Sequence, residues 1–200
     1  MGKSSRSATA PRLDRTFFDR PTVAVARDLL GATLRVGGRA VRIVETEAYV
    51  ASDPANHAFR GPTARNRSMF GPPGTLYIYR IHQVVCANLV TCRGEAVLLR
   101  AGEPLTEGLE NSSGPGRLCR ALGIRLTDDG TSAVSDPRIR VEQTRGVRTR
   151  IVSGPRVGIR RAKRRRLRFA LAGNPWVSPP RLPARAIQRA QAPPGAGGRR

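Results

Sequence analysis

Glu45 and Glu47 stand one residue apart in the run Arg42-Ile-Val-Glu-Thr-Glu-Ala-Tyr49, and the loop that follows carries His57, one of only two histidines. Acids are scarce in this chain. Lys and Arg number 36 against 14 Asp and Glu, for a net charge of +22. Two carboxylates inside an apolar, strand-like run therefore need a reason. One reason is pairing with an arginine, which a buried carboxylate requires. The other is chemistry: an ionised carboxylate can take a proton from water and can stabilise positive charge as it develops on a neighbouring atom. Strict strand alternation would put Val41, Ile43, Glu45, Glu47 and Tyr49 on one face, with Glu47 and Tyr49 side by side.

The surrounding elements must hold those residues in place. "PTVAVARDLLG" predicts a helix that starts near Pro21 and is ended by Gly31. "ATLRVGGRAVRIVETEAYV" predicts a β-hairpin turning at Gly37-Gly38. A long Pro/Gly/Asn-rich loop follows, and loops of that length in a compact domain are usually functional. "TLYIYRI" predicts a strand with Tyr77 and Tyr79 on one face, and "AVLLRA" another with Leu98 and Arg100 on one face. "GRLCRALGI" predicts a short helix ending at Gly123. "GPRVGIRRAKRRRLRFALAGNPWVS" predicts two strands joined by a basic turn. Residues 1–13 and 179–200 predict disordered basic tails around one domain, residues 14–178.

A pI near 11.8 implies a polyanionic partner, with nucleic acid the default. No apolar run approaches the ~20 residues of a membrane span. Three cysteines, with no C-x-x-C pair, predict reduced thiols in a cytoplasmic protein. Neither they nor the two histidines suggest a metal site.

"RIVETEAY", a following "NH", "RNRSMFGPPGTLYIY", "CAN", "AVLLRAGEPLTEGLE", "GPGRLCRALGI" and "RVGIRR…LRFALAGNPWVS" occur in that order. The ordered set, spanning Thr16 to Ser178, resembles the alkyladenine (3-methyladenine) DNA glycosylase family of the mammalian type, which has many bacterial members. The resemblance implies a mixed α/β (α+β) single domain around a curved antiparallel β-sheet, with flanking helices and a DNA-inserting hairpin. It implies a monofunctional base-excision repair enzyme acting as a monomer on double-stranded DNA that contains damaged purines. Such an enzyme flips an alkylated or deaminated purine out of the duplex, hydrolyses the N-glycosidic bond and leaves an abasic site. It needs neither metal nor organic cofactor. A bacterial cytoplasmic location, at the nucleoid, goes with that reading.

Residue by residue, the resemblance makes Glu47 the catalytic general base and Tyr49 the ring that stacks on the flipped base. His57 reads the base edge, Tyr79 forms the opposite pocket wall, and Asn88 crowds the place of guanine's exocyclic amino group. Arg100 is the pocket arginine beside the reaction centre and the adjacent phosphate. Arg65 and Arg67 are phosphate contacts. Glu45 remains a charge-pairing residue whose change to glutamine should be mild, and Tyr77 supporting packing. One segment departs from the family. "YRIHQVVCAN" is one residue shorter and lacks the second tyrosine that fills the gap left by the flipped base; His82 is its counterpart, with Ile81 the other candidate. The competing expectation is a non-enzymatic, charge-driven nucleic-acid-binding protein, which would have no use for the ordered set of pocket residues.

Overall fold

The computed structural model describes residues 10–143 and 150–183. Among the described residues eight strands form one antiparallel sheet: β1 (Thr33–Val36), β2 (Arg39–Tyr49), β3 (Leu76–Ile81), β4 (Val84–Val90), β5 (Ala96–Pro104), β6 (Ile139–Glu142), β7 (Ile151–Gly154) and β8 (Arg168–Leu171). The main path runs β3-β4-β5-β2-β1-β6, and β8 branches from β2 and carries β7. This branch curls the sheet. The helices α1 (Arg15–Phe18), α2 (Thr22–Asp28) and α3 (Pro115–Leu122) flank it. Val25, Leu29, Leu118 and Leu122 bury against Leu34, Ile43 and Leu99 in the main core. A mixed α/β single domain on a curled antiparallel sheet is what the resemblance implied.

The predicted β1–β2 hairpin forms, with Gly37 at φ +58 in its turn, a conformation that costs glycine nothing. α3 ends at Gly123, which takes the left-handed conformation at φ +73, as a helix-terminating glycine does. α2 stops three residues before Gly31, at Asp28.

The single-face reading of β2 is corrected. Between Ile43 and Thr46 the β2–β5 register slips twice, with Val44 extra on β2 and Arg100 extra on β5. An extra residue reverses the side to which the following side chains point. Val41 and Ile43 therefore face the main core, and so do Thr46 and Ala48 beyond the bulge. Glu45, Glu47 and Tyr49 face the other way, toward Arg100. The bulge is what allows one strand to serve both a core and a polar site.

Two further expectations are corrected. "RVGIRR" is not a strand; the strand that joins β8 on its far side from β2 lies just upstream, at Ile151–Gly154, residues 155–166 cross between them outside the sheet, and the Leu167 carbonyl accepts from the Ala48 N–H at 2.8 Å. Most of both predicted tails, residues 1–9 and 184–200, falls outside the described residues. Their inner ends belong to the fold. Arg12 donates to the carbonyls of Ala133, Asp136 and Ile139 at 2.7–3.1 Å, and Leu13 is buried. At the other end Pro180 accepts from Arg168, and Leu182 packs on a second small core of Val44, Val152 and Leu171.

Candidate active site

A cavity of about 510 Å³ opens beside the β3–β4 hairpin, large enough for a purine. Tyr49 of β2 forms one wall. Tyr77 and Tyr79 of β3, stacked at 5.6 Å and 29°, form another with His57 edge-on to Tyr79 at 4.6 Å. Asn88 of β4 and Arg100 of β5 also line it. Residues from four strands converge because β3, β4, β5 and β2 are neighbours in the sheet, and the loop of His57 and the connection at residues 157–161 close in on them.

Glu47 is fully buried just beneath this lining. Three lining residues reach it: the Tyr49 hydroxyl donates to Oε2 at 2.9 Å, the Val157 N–H donates to Oε1 at 2.8 Å, and Arg100 Nη1 lies 3.1 Å from Oε1. Burial pushes the Glu47 carboxyl above its ordinary value, against the pull of Arg100, the Val157 N–H and the Tyr49 hydroxyl. The Val157 N–H is a backbone group, and no side-chain pattern could have signalled it.

Glu45 lies in a denser set of bonds. Oε1 accepts from Arg100 Nε at 3.0 Å and Arg168 Nε at 2.5 Å, and Oε2 from the Ser178 N–H at 2.7 Å. Arg100 also donates to Ser178 Oγ at 3.1 Å. Its three nitrogens are thus engaged within the protein, and its side chain is 6% exposed. Through Nε and Nη1 it acts on the two carboxylates, and it also lines the cavity.

His57 sits at the rim, solvent-accessible on one side, with Nδ1 2.9 Å from the Tyr77 hydroxyl. Partial desolvation, then the charge of Arg65, hold its imidazole below the usual value, which favours the neutral form. Desolvation likewise raises the Tyr77 hydroxyl to about 12, which keeps it a hydrogen-bonding phenol. Tyr77 is therefore a partner of His57, more than the packing assigned to it from sequence. Asn88 is buried and its amide donates to the Tyr77 carbonyl at 2.9 Å, which fixes the side-chain direction.

The predicted long loop is ordered from within by its asparagines. Asn66 Oδ1 accepts from the Thr63 N–H and hydroxyl, and Nδ2 donates to the His57 and Gly61 carbonyls. Arg65 and Arg67 on either side of it are exposed. The β3–β4 turn consists of His82 and Gln83, with His82 at φ +51. Ile81 and Val84 flank it at 51% and 41% exposure, unusual for aliphatic side chains. Ile81 and His82 both stand on the cavity rim.

An aromatic slot that ends on a buried, bonded carboxylate, in a strongly basic domain, is the equipment of a DNA glycosylase. The model of the methylpurine-DNA glycosylase family matches residues 16–175, and the chain belongs to that family. It is 44% identical over 183 residues to a "Putative 3-methyladenine DNA glycosylase" of Agrobacterium fabrum, covering 84% of this chain and 93% of that one. A protein of the same description from Nitrosospira multiformis is 46% identical, over 87% and 96% of the two chains. Another, from Anaeromyxobacter sp., is 48% identical, over 84% and 92%. A purely charge-driven binder finds no support in this company. No helix among the described residues is long and apolar enough to cross a membrane.

Proposed function

We propose that this chain excises alkylated or deaminated purines from double-stranded DNA, with Glu47 as the general base. The observation that carries the reading is the convergence of Tyr49, Arg100 and Val157 on one buried carboxylate at the end of an aromatic slot. A base inside a duplex cannot be reached, so it is extruded into the slot. There it stacks on Tyr49, opposite Tyr79, with His57 at its edge. Cleavage of the N-glycosidic bond builds positive charge on the sugar. Glu47 stabilises that charge and takes the proton of the attacking water. Water adds to the sugar carbon, the base leaves with the bond's electrons, and an abasic site remains. Arg100 balances the two carboxylates and holds Glu47 in place. Arg65 and Arg67 are free to meet phosphate. The same reading makes the protein a monomer of the bacterial cytoplasm, near the nucleoid; three unpaired cysteines fit a reducing compartment. The test is incubation with duplexes that each carry one defined lesion, followed by alkali cleavage of abasic sites. Strand breaks at no lesion would end the proposal.

Asn88 fixes what the slot refuses. Its amide is bonded to the Tyr77 carbonyl and cannot swing aside without losing that bond. Asn88→Ser should admit bases with a 2-amino group, as guanine carries. The ratio of guanine release to hypoxanthine release should rise, and an unchanged ratio would remove Asn88 as the gate.

The hairpin tip supplies the plug. Something must fill the stack when a base leaves it, since unstacking costs a few kcal/mol per step. His82 is planar, exposed and at the apex, between exposed Ile81 and Val84. His82→Ala should slow excision of well-paired lesions more than that of lesions in mismatches. Equal slowing of both would shift the role to Ile81.

A further inference from the structure

Behind the Tyr49 ring, on the side away from the slot, lies a buried ion pair that the reaction described above does not use. Arg156 and Asp53 pair with both side chains at 0% exposure. The Arg156 Cζ is 4.6 Å from the centroid of the Tyr49 ring. Nη1 also donates to the Ala48 carbonyl at 3.0 Å, while Nε and Nη2 have no hydrogen-bond partner among the described residues. Tyr49 lines the cavity and Arg156 does not. The ring thus separates a buried cation from the space a flipped base would occupy.

Leaving guanidinium N–H groups idle in the interior is costly. Pairing with Asp53 and the bond to the Ala48 carbonyl account for one terminal nitrogen, Nη1; they do not account for a guanidinium lying over the Tyr49 ring with its other nitrogens unbonded among the described residues. An aromatic face is negative, and a cation over one face is held by that density. Density drawn toward Arg156 is withdrawn from the opposite face, and the field of the guanidinium acts through the ring in surroundings with little water. Asp53 offsets part of the charge, but the guanidinium is the group over the ring.

We propose that Arg156 is a specificity-determining residue that sets the slot face of Tyr49 against cationic, N-alkylated bases and in favour of neutral ones, such as deaminated or etheno-bridged purines. The inference rests on the reading that this slot receives the flipped base. It reverses what a tyrosine wall alone would favour.

The experiment compares single-turnover release of 3-methyladenine, a cation in DNA, with release of hypoxanthine, which is neutral; neither carries the 2-amino group that Asn88 crowds. Arg156→Met combined with Asp53→Asn removes both charges and leaves neither unpaired. Its ratio of cationic to neutral release should rise about 3- to 30-fold, the span of one cation–π contact from exposed to desolvated. Asp53→Asn alone uncovers the Arg156 charge and should move the ratio the opposite way. Arg156→Lys keeps the charge and should hold the ratio near the parent's. Asp53→Asn is read at a temperature at which circular dichroism shows it folded, and the sign of its shift decides independently of the double variant. A ratio unchanged in the double variant, or equal loss for both bases, overturns the proposal and leaves Arg156 a support for the wall. Failure of the parent protein to release either base would instead overturn the glycosylase reading.

Discussion

Glu47→Gln should abolish base release while the variant still binds lesion DNA. Positioned acid–base groups contribute roughly 10²–10⁴-fold, and a glutamine of the same shape keeps the slot but cannot take a proton. Its oxygen can still accept from the Val157 N–H. The measurement is single-turnover excision at saturating enzyme, with a gel-shift titration beside it. Excision near the parent's rate would remove Glu47 from the mechanism. The pH profile gives an independent check. Burial holds the carboxyl above its ordinary value of 4.5, so it stays protonated to higher pH than a free glutamate. Excision should therefore rise with pH through that raised value and fail below it. Stability carries the opposite sign. A raised carboxyl pKa means that the protonated form favours the fold, and this contribution is lost as pH rises through the folded value. Glutamine resembles the protonated form, so Glu47→Gln should melt at or above the parent's temperature at neutral pH. A loss of activity accompanied by a clear gain in stability would mark Glu47 as a residue held at a cost to the fold for the sake of chemistry.

How far the sequence carries is visible in that same strand. Glu47, Tyr49, His57, Tyr79, Asn88 and Arg100 stand out through the family resemblance, which rests on short local motifs, and the structure gathers all six at one cavity. The hairpin at Gly37 and the helix stop at Gly123 were legible because backbone conformation there follows from glycine. The bulge at Val44 was not. An extra valine among valines and isoleucines leaves the apolar pattern intact while reversing the face of everything after it. The strand at Ile151–Gly154 is only four residues long and has no alternation to set it apart from the longer basic run beside it. The partnerships of Arg12, Arg156 and Arg168 span most of the chain, and in a sequence with 36 Lys and Arg nothing local marks which arginines are buried. Arg156 did carry a signal, since it lies within the "RVGIRR" motif, but its place behind Tyr49 is a tertiary fact.

Glu45→Gln tests the most consequential of those hidden partnerships, and here the structure overturns the expectation of a mild effect. Glu45 is the shared anion of two buried arginines. Its Oε1 accepts from Arg100 and Arg168, and its Oε2 accepts from the Ser178 N–H. The fully buried Arg168 also holds the Ser178 and Pro180 carbonyls, at 2.8 and 2.9 Å. A glutamine carries no charge, and its NH₂ would face either a guanidinium or the Ser178 N–H, donor against donor. Two arginines would then compete for Glu47 alone. Breaking a buried pair by removing one partner typically costs about 3–5 kcal/mol, a large share of the ~5–15 kcal/mol that holds a domain folded. The melting temperature should drop by roughly 10 °C or more. The urea midpoint should fall with it at unchanged slope, and the segment around Ser178 should exchange its amides first. Activity should fall as well, because cationic charge no longer shared with Glu45 falls on Glu47 and makes it a weaker base. The two variants then separate cleanly: Glu47→Gln is folded and inactive, whereas Glu45→Gln is unstable and regains part of its rate when the assay is cooled. A Glu45→Gln protein as stable as the parent would mean that Arg100 and Arg168 find other anions. The arrangement of the site around a shared buried carboxylate would then be wrong.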